Sequence, residues 1–447
     1  MRTLETPSPG VTMTDDTRPA RPLPLLSTTD LSLDLSRQKR LAKDLKNAVR
    51  SGDRDAIARL RRNHPRVDTL DLATLKLSDA QLTVAREAGV PSWPALKRHV
   101  EQVDAARLAI ETQDKAPDAD LPTLHVRCGN DIEAALERAG FSGDFLMSAD
   151  PICQGPVASG PKALEIRAAF IAGEYPGEHY EKNLEGLREA EDRILAAGRY
   201  GRIALWFEHD PYDQLLLVKL LAILRAAGLD KRKIELISLD RFPGISKFIG
   251  IGQLSPAALR HMYDLRKPVP VSAFAQAQKA WQALSAPTPM PLYELVDKTP
   301  SLPFLSGSIL RYLAELPSLD NGLSFTEQTI LEILEGGPQS WGRVFREFMM
   351  ERDPLPYHGD LMFLGTVLRL RDAAMPALAD DGTDLGQSNW GKTVFSLTAT
   401  GRDLLAGRRD WKTCSPRRRE HGGITCFGEP DWRWNRALQR PEIYYGA

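Results

Sequence analysis

Arg202-Ile203-Ala204-Leu205-Trp206-Phe207-Glu208-His209-Asp210-Pro211-Tyr212-Asp213-Gln214 decides the fold. The unbroken apolar run Ile203-Ala204-Leu205-Trp206-Phe207 suits a strand covered on both faces, because a strand with one wet face alternates apolar and polar residues. The chain then turns to acids and a proline, and an apolar helix is expected over 213–227. A buried strand that runs through a polar loop into a helix is half of a βαβ unit.

The same grammar recurs on both sides. Strands are expected at 123–128, 144–148 and 233–239, with helices at 132–139, 162–172 and 180–197 between them. Strands alternating with helices predict an α/β domain over 123–254 with an open, mostly parallel Rossmann-like sheet. Residues 255–320 read as a proline-bearing helical connector. Upstream, 36–112 read as helices, with Ser36 the expected first cap, Gly52-Asp53 a break, and the stretch around it similar to one ankyrin-like helix pair. Residues 113–122 form a polar linker, and the Pro-, Thr- and Ser-rich residues 1–35 are expected to be a disordered tail. From 321 to 447 a capping pattern at Ser324-Phe325-Thr326-Glu327, three helices and a strand pair around 380–392 predict a winged-helix-like unit with a basic tail.

Composition narrows the function classes. A formal net charge of -1 gives the whole chain no field toward nucleic acid or membrane, so attraction must be local. Two basic segments, 37–66 and 408–440, are the places where nucleic acid could bind, against the plainer reading of solvated basic faces. No aromatic residue interleaves the first segment, as base stacking would need. The expected recognition helix, 360–371, is mostly apolar, which argues for packing over DNA reading. Cys128, Cys153, Cys414 and Cys426 form no CxxC pair, so a reducing, cytoplasmic setting is expected and zinc is weakly supported. No apolar run is long enough for a membrane helix.

In an open parallel sheet ligands bind beyond the carboxyl ends of the strands. Four loops are expected there: Gly129-Asn130-Asp131, Asp150-Pro151-Ile152-Cys153-Gln154-Gly155-Pro156, Glu208 to Gln214, and Asp240-Arg241-Phe242-Pro243-Gly244. Glu208, Asp210 and Asp213 with His209 in six residues repel one another unless a cation, a proton or a basic group joins them. His209 is the candidate base, with Asp210 or Asp213 to orient it or to hold a divalent metal through oxygen. The plainer reading is that the aspartates cap a helix, but capping needs one carboxylate rather than three. Gln214 offers an amide to a polar ligand, and Arg241 and Asp150 complete the rim. Gly129 is either a close-approach point for phosphate at a helix start or a tight turn, and Asp131 either a cap or a ligand contact. Cys153 as a nucleophile would need His209 as its base; a structural thiol is the plainer reading. Gln154 lies beside it, and Gly250-Ile251-Gly252-Gln253 reads as an ordinary loop near the same edge.

Three strings carry a resemblance. Leu124-His125-Val126-Arg127-Cys128-Gly129-Asn130-Asp131-Ile132, Asp150-Pro151-Ile152-Cys153-Gln154-Gly155-Pro156-Val157 and Leu205-Trp206-Phe207-Glu208-His209-Asp210-Pro211-Tyr212-Asp213-Gln214 resemble the bacterial family named for domain of unknown function 1835. The likeness runs on through Arg241-Phe242-Pro243-Gly244, Gly252-Gln253-Leu254 and Glu315-Leu316-Pro317-Ser318 to Asp431-Trp432-Arg433-Trp434, so it spans residues 123–436. Members often carry Ser or Asp where Asn130 stands here. The resemblance implies the α/β domain and the rim positions, and implies no reaction.

Two functions follow from the sequence. One is an enzyme, a hydrolase or group transferase, acting on a small polar or phosphate-bearing ligand at the strand ends. The other is a regulatory or nucleic-acid-binding protein that uses the helical and winged-helix-like parts. Exposure of helix 360–371 separates them: a basic, open face favours regulation and a buried one favours the enzyme.

Overall fold

The computed structural model describes residues 33–382, 390–414 and 416–446. Most of the expected tail, residues 1–32, lies outside them. The first helix, α1 (Leu35–Arg50), is capped by Asp34 rather than Ser36, because the Asp34 carboxylate accepts the Arg37 amide at 2.5 Å. Helices α2 (Arg54–Asn63), α3 (Leu77–Glu87) and α4 (Trp93–Glu111) follow, with Gly52 at φ +84° turning α1 into α2. Leu45, Val49, Leu60 and Val84 close a small core of their own. The lysines and arginines of 37–66 mostly face solvent.

The linker after α4 is tied down. Asp118 accepts the amides of Ser142 and Gly143 and bonds His125 at 3.1 Å, while Asp120 pairs with Arg202 at 2.7 Å. Burial opposes the charge on Asp118, yet His125 and those amides hold its carboxyl well below the ordinary range.

Next come β1 (Thr123–Arg127), α5 (Glu133–Arg138), β2 (Asp144–Met147), β3 (Gly155–Pro156), α6 (Ala163–Glu174), α7 (Tyr180–Leu195), β4 (Arg202–Trp206), α8 (Pro211–Ala226), β5 (Ile234–Ile237), α9 (Pro256–Asp264) and β6 (Lys267–Pro268). One five-stranded sheet has the order β2-β1-β4-β5-β6; the first four are mutually parallel and β6 is an antiparallel edge. Every residue of β1 and β4 is buried, as the unbroken run at 203–207 requires. The molecule is thus mixed α/β around a mostly parallel sheet. The edge strand β6 falls inside the expected helical connector; two residues beside Pro268 and Pro270 give no periodic signal.

The connector otherwise holds α10 (Val271–Leu284), α11 (Met290–Tyr293) and α12 (Leu305–Leu313). Apolar residues of α10 and α12 share one core with α8. They cover the sheet instead of merely joining domains.

The C-terminal part runs α13 (Phe325–Glu335), β7 (Gln339–Ser340), α14 (Trp341–Glu347), α15 (Asp360–Arg371), β8 (Leu378–Asp380), β9 (Val394–Leu397), α16 (Ala399–Leu405), β10 (Glu420–Gly422), β11 (Ile424–Thr425), β12 (Trp432–Asn435) and β13 (Arg440–Ile443). Ser324 and Glu327 form the expected capping box. Strands β7, β9 and β8 make a small antiparallel sheet; residues 383–389 of the expected strand pair lie outside the described residues. Met362, Phe363, Leu364, Val367 and Leu370 bury most of α15. Strand β10 leaves this unit and pairs with β3 of the α/β part. Arg433, expected among basic contacts for phosphate, is fully buried and pairs with Asp410 at 2.8 Å and Asp431 at 3.1 Å. Its charge is neutralised inside, so it holds the tail and presents nothing to solvent. No helix is long and apolar enough to cross a membrane.

Candidate functional site

Because β1, β2, β4 and β5 are parallel neighbours, the loops that follow them leave from one edge. The chain segments after β2 and β4 are tied together there, since Asp150 pairs at 2.8 Å with Lys219 of α8, the helix that continues the Glu208 loop. The Asp150 and Glu208 loops therefore share a rim.

The cation demanded by the crowded acids is Arg127, the last residue of β1. A charge closing a fully buried strand must find a partner, and this one finds three. Its Nη2 donates to Glu208 Oε1 at 2.8 Å, its Nη1 to Asp213, and its Nε to Asp131 Oδ1 at 3.1 Å. Glu208 Oε2 accepts the Ile251 amide at 2.6 Å. Asp213 Oδ1 accepts the Glu208 amide at 2.9 Å, and Oδ2 accepts the Cys128 thiol at 3.2 Å. Gln214 donates from its amide nitrogen to the Glu208 carbonyl, so it braces the loop. Asp210 alone performs the capping role, accepting the Asp213 amide at 3.0 Å.

One guanidinium among Asp131, Glu208, Asp210 and Asp213 leaves an excess of carboxylate. Burial, against the pull of Arg127, pushes Glu208 up to about 8. Burial and the neighbouring Asp213 and Glu208 push Asp210 well above the usual range, and burial raises Asp213 too. Glu208 thus keeps a proton into neutrality, and Asp210 and Asp213 are shifted in the same direction.

Oxygens of Glu208, Asp210 and Asp213 lie within 4.8 Å of one another, an all-oxygen set of the type a hard divalent ion takes. The fit is incomplete, since both oxygens of Glu208 and both of Asp213 already accept N–H or S–H donors. Of these three acids Asp210 alone keeps an oxygen with no donor among the described residues.

The remaining expected positions divide. Asp131 bonds Arg127 and does not cap α5. Gly129 has no left-handed backbone, and a Cβ there would meet Asp131 at 3.4 and 4.0 Å, so neither strain nor packing requires glycine at this position. The His209 ring rests against Phe248 at 6.0 Å and Phe304 at 6.2 Å, with a buried Nδ1 that has no partner. Neither Asp210 nor Asp213 orients it, because Asp213 is committed to Arg127 and Cys128. Burial lowers its pKa, with Asp240 and Asp213 opposing. Arg241 pairs with Asp240 at 2.7 Å and is largely exposed, outside the Arg127 network. Cys153 makes no bond to His209; burial and Asp210 hold it as a neutral thiol, which removes Cys–His catalysis.

Asp150 belongs to a second buried cluster. It pairs with Arg167 and Lys219, each at 2.8 Å. Against burial, which alone would raise it, these cations bring Asp150 down to about 2. Gln154 Oε1 accepts the Tyr175 hydroxyl at 2.8 Å. Three cavities open around this loop, of about 450, 310 and 210 Å³, and none of the three is lined by Glu208, Asp210 or Asp213.

Sequence reasoning missed Arg127, although a charge at the end of an apolar strand was its signal. It passed over Gly250-Ile251-Gly252 as an ordinary loop. A Cβ on Gly250 would stand 2.7 Å from Glu208 Oε1, and one on Gly252 2.6 Å from Asp131 Oδ2, so this loop lies directly on the acids. Arg167 and Lys219 sit on helices remote in sequence and gave no local signal. No protein-family model matches the chain, and no curated protein matches it.

Proposed function

We propose that this protein is an α/β enzyme, a hydrolase or group transferase, that takes a small polar or phosphate-bearing ligand beside the loop after β2. The observation that carries this is the grouping of three cavities around the loop from Asp150 to Pro156, two of them lined by Asp150 itself, on the rim where the Arg127 acid network also ends. The largest has apolar walls from Ile171, Leu187 and Met362 and polar groups from Lys219, Asn183 and Tyr212, the mixture small organic ligands need. Glu208, pushed up to about 8 and bonded to Arg127, is the proton store in this reading, placed on the shared rim and not in a cavity wall. The three rim strings are those that resemble the domain of unknown function 1835, and the reading includes that kinship and a Rossmann-like description of the sheet.

The order α13, β7, α14, α15, β8, β9 supports a winged-helix-like description of the C-terminal unit. The buried face of α15 favours packing over DNA reading. The exposed basic face of 37–66 is the observation behind the rival regulatory reading, and retention on DNA that falls steeply with salt is its test.

A thermal-shift screen of nucleotides, sugar phosphates and divalent ions tests the enzyme proposal, since a ligand selective for the native state raises stability by mass action. Ile223 lines both the cavity of about 450 Å³ and that of about 210 Å³. A ligand bound there loses its stabilising effect in Ile223→Trp, or in the milder Leu361→Trp. Full retention in both folded variants places the ligand elsewhere and ends the proposal.

A further inference from the structure

We infer that the cleft of about 310 Å³ between α6, β3 and β10 is an anion site that takes the phosphate of a small phosphate monoester, recognised by Arg418, Arg419, Arg369 and Gln154. The inference uses the same strand-end loop as the proposal above, but a different cavity.

The cleft forms where the two halves of the molecule join. Strand β10 pairs in parallel with β3, bringing the Arg418-Arg419-Glu420-His421 segment onto the loop after β2. Gly155 makes the close approach possible. Its φ is +74°, and a Cβ there would stand 2.4 Å from the Phe170 ring, so no other residue fits without moving α6.

Charge is the decisive feature. Arg419 is half-buried and makes no ion pair among the described residues; its Nη2 donates to the Glu315 carbonyl at 2.9 Å, and Cys426 and the more distant Glu327 and Glu315 favour its charge. The Glu315 carboxylate is already taken by Arg311 at 2.6 Å. Arg369 pairs with Glu174, but its buried Nε has no hydrogen-bond partner, and the carboxylate of Glu327 stands 3.9 Å away. Arg418 is exposed and forms no ion pair among the described residues. Glu174 and Glu315 are committed to Arg369 and Arg311, so Glu420, which is exposed, is the one uncommitted carboxylate among the residues lining the cleft. Guanidiniums gathered on one cleft repel one another, Arg369 with its unpartnered buried Nε most of all, and an anion between them relieves that repulsion. Planar forks match phosphate oxygens better than a point charge does.

The neutral groups agree with this. Tyr175 holds the Gln154 carbonyl oxygen, which leaves the amide N–H₂ to donate. His421 adds no charge: its Nε2 donates to the Tyr312 carbonyl at 2.9 Å, and burial lowers its pKa to about 3. The size of the cleft admits a phosphate with a small organic group, not a polynucleotide.

Calorimetry at constant ionic strength tests the site on the full chain with inorganic phosphate, phenyl phosphate and chloride as probes. Saturable binding of phosphate and tighter binding of the ester, with no heat from chloride, is the expected result. Inorganic phosphate binding alone, with no gain for the ester, overturns the monoester assignment. No saturable binding of either overturns the site. Arg418→Glu lies at the surface and should fold; it should weaken phosphate by about tenfold or more. Gln154→Glu, which keeps the acceptor for Tyr175 but replaces the amide donor with a negative charge, should weaken it too. Equal affinity in Arg418→Glu and wild type refutes the proposed contacts. Ile223→Trp leaves this cleft intact, so phosphate binding that survives Ile223→Trp while other ligands are lost separates the two proposals.

Discussion

Arg127 Nη2 meets Glu208 Oε1 at 2.8 Å across the β1–β4 pair, both side chains being almost wholly buried. The same guanidinium holds Asp131 and Asp213, so one residue on one strand organises acids from two loops. Removing it strands carboxylates in the interior. Arg127→Met should cost about 3–5 kcal/mol in urea unfolding. Adding Glu208→Gln should change that loss little at pH 7, because Glu208 already keeps a proton there. An Arg127→Met protein as stable as wild type would show that the acids find other partners.

Proton linkage gives the acid cluster a signature. Glu208 rises from an ordinary value of 4.5 to about 8 on folding. Between those values the folded state keeps a proton that the unfolded chain releases, so this contribution falls as pH rises and is gone above the folded value. Buried histidines with lowered pKa, such as His358 and His421, act in the opposite sense below about pH 6.5. The window to read is therefore about pH 7 to 8. Wild type should lose stability there, and Glu208→Gln should lose less. Asp150 behaves inversely: its contribution is complete above its ordinary value of 3.8 and disappears as pH falls through about 2. A wild type that gains stability from pH 7 to 8 contradicts the proton store.

The loop at Gly250 and Gly252 allows a graded test. A Cβ on Gly250 collides with Glu208, which is buried and held at both oxygens. One on Gly252 collides with Asp131, whose side chain is 40% exposed and has room to turn aside. Gly250→Ala should cost about 1–3 kcal/mol, and Gly252→Ala less than about 1 kcal/mol. Denaturation midpoints decide it; a reversed order means the loop does not rest on Glu208.

His209 makes no ring hydrogen bond and stands beside two phenylalanines. His209→Ala should cost about 1 kcal/mol, within the range for a half-buried side chain without polar partners. If His209 moves a proton in the reaction, that variant loses turnover while keeping ligand-induced stabilisation. Loss of the fold instead makes the residue structural.

Much of the frame was legible in the chain itself. The run at 203–207 required a strand buried on both faces, and that fixed a covered parallel sheet, its rim and the four loops on it. Ser324 and Glu327 announced their capping box by spacing alone. Local chemistry also showed that Glu208, Asp210 and Asp213 needed a counter-charge. Which group supplies it was a tertiary matter, because Arg127 lies some 80 residues away in sequence and meets them only through the β1–β4 pairing. The same holds for Asp150, whose partners Arg167 and Lys219 come from two helices, and for the arginine cleft, which exists only because β10 returns to β3. Periodicity and capping act over a few residues and can be read in order. Ion pairs and cavities depend on which distant segments the packed core brings within a few ångströms.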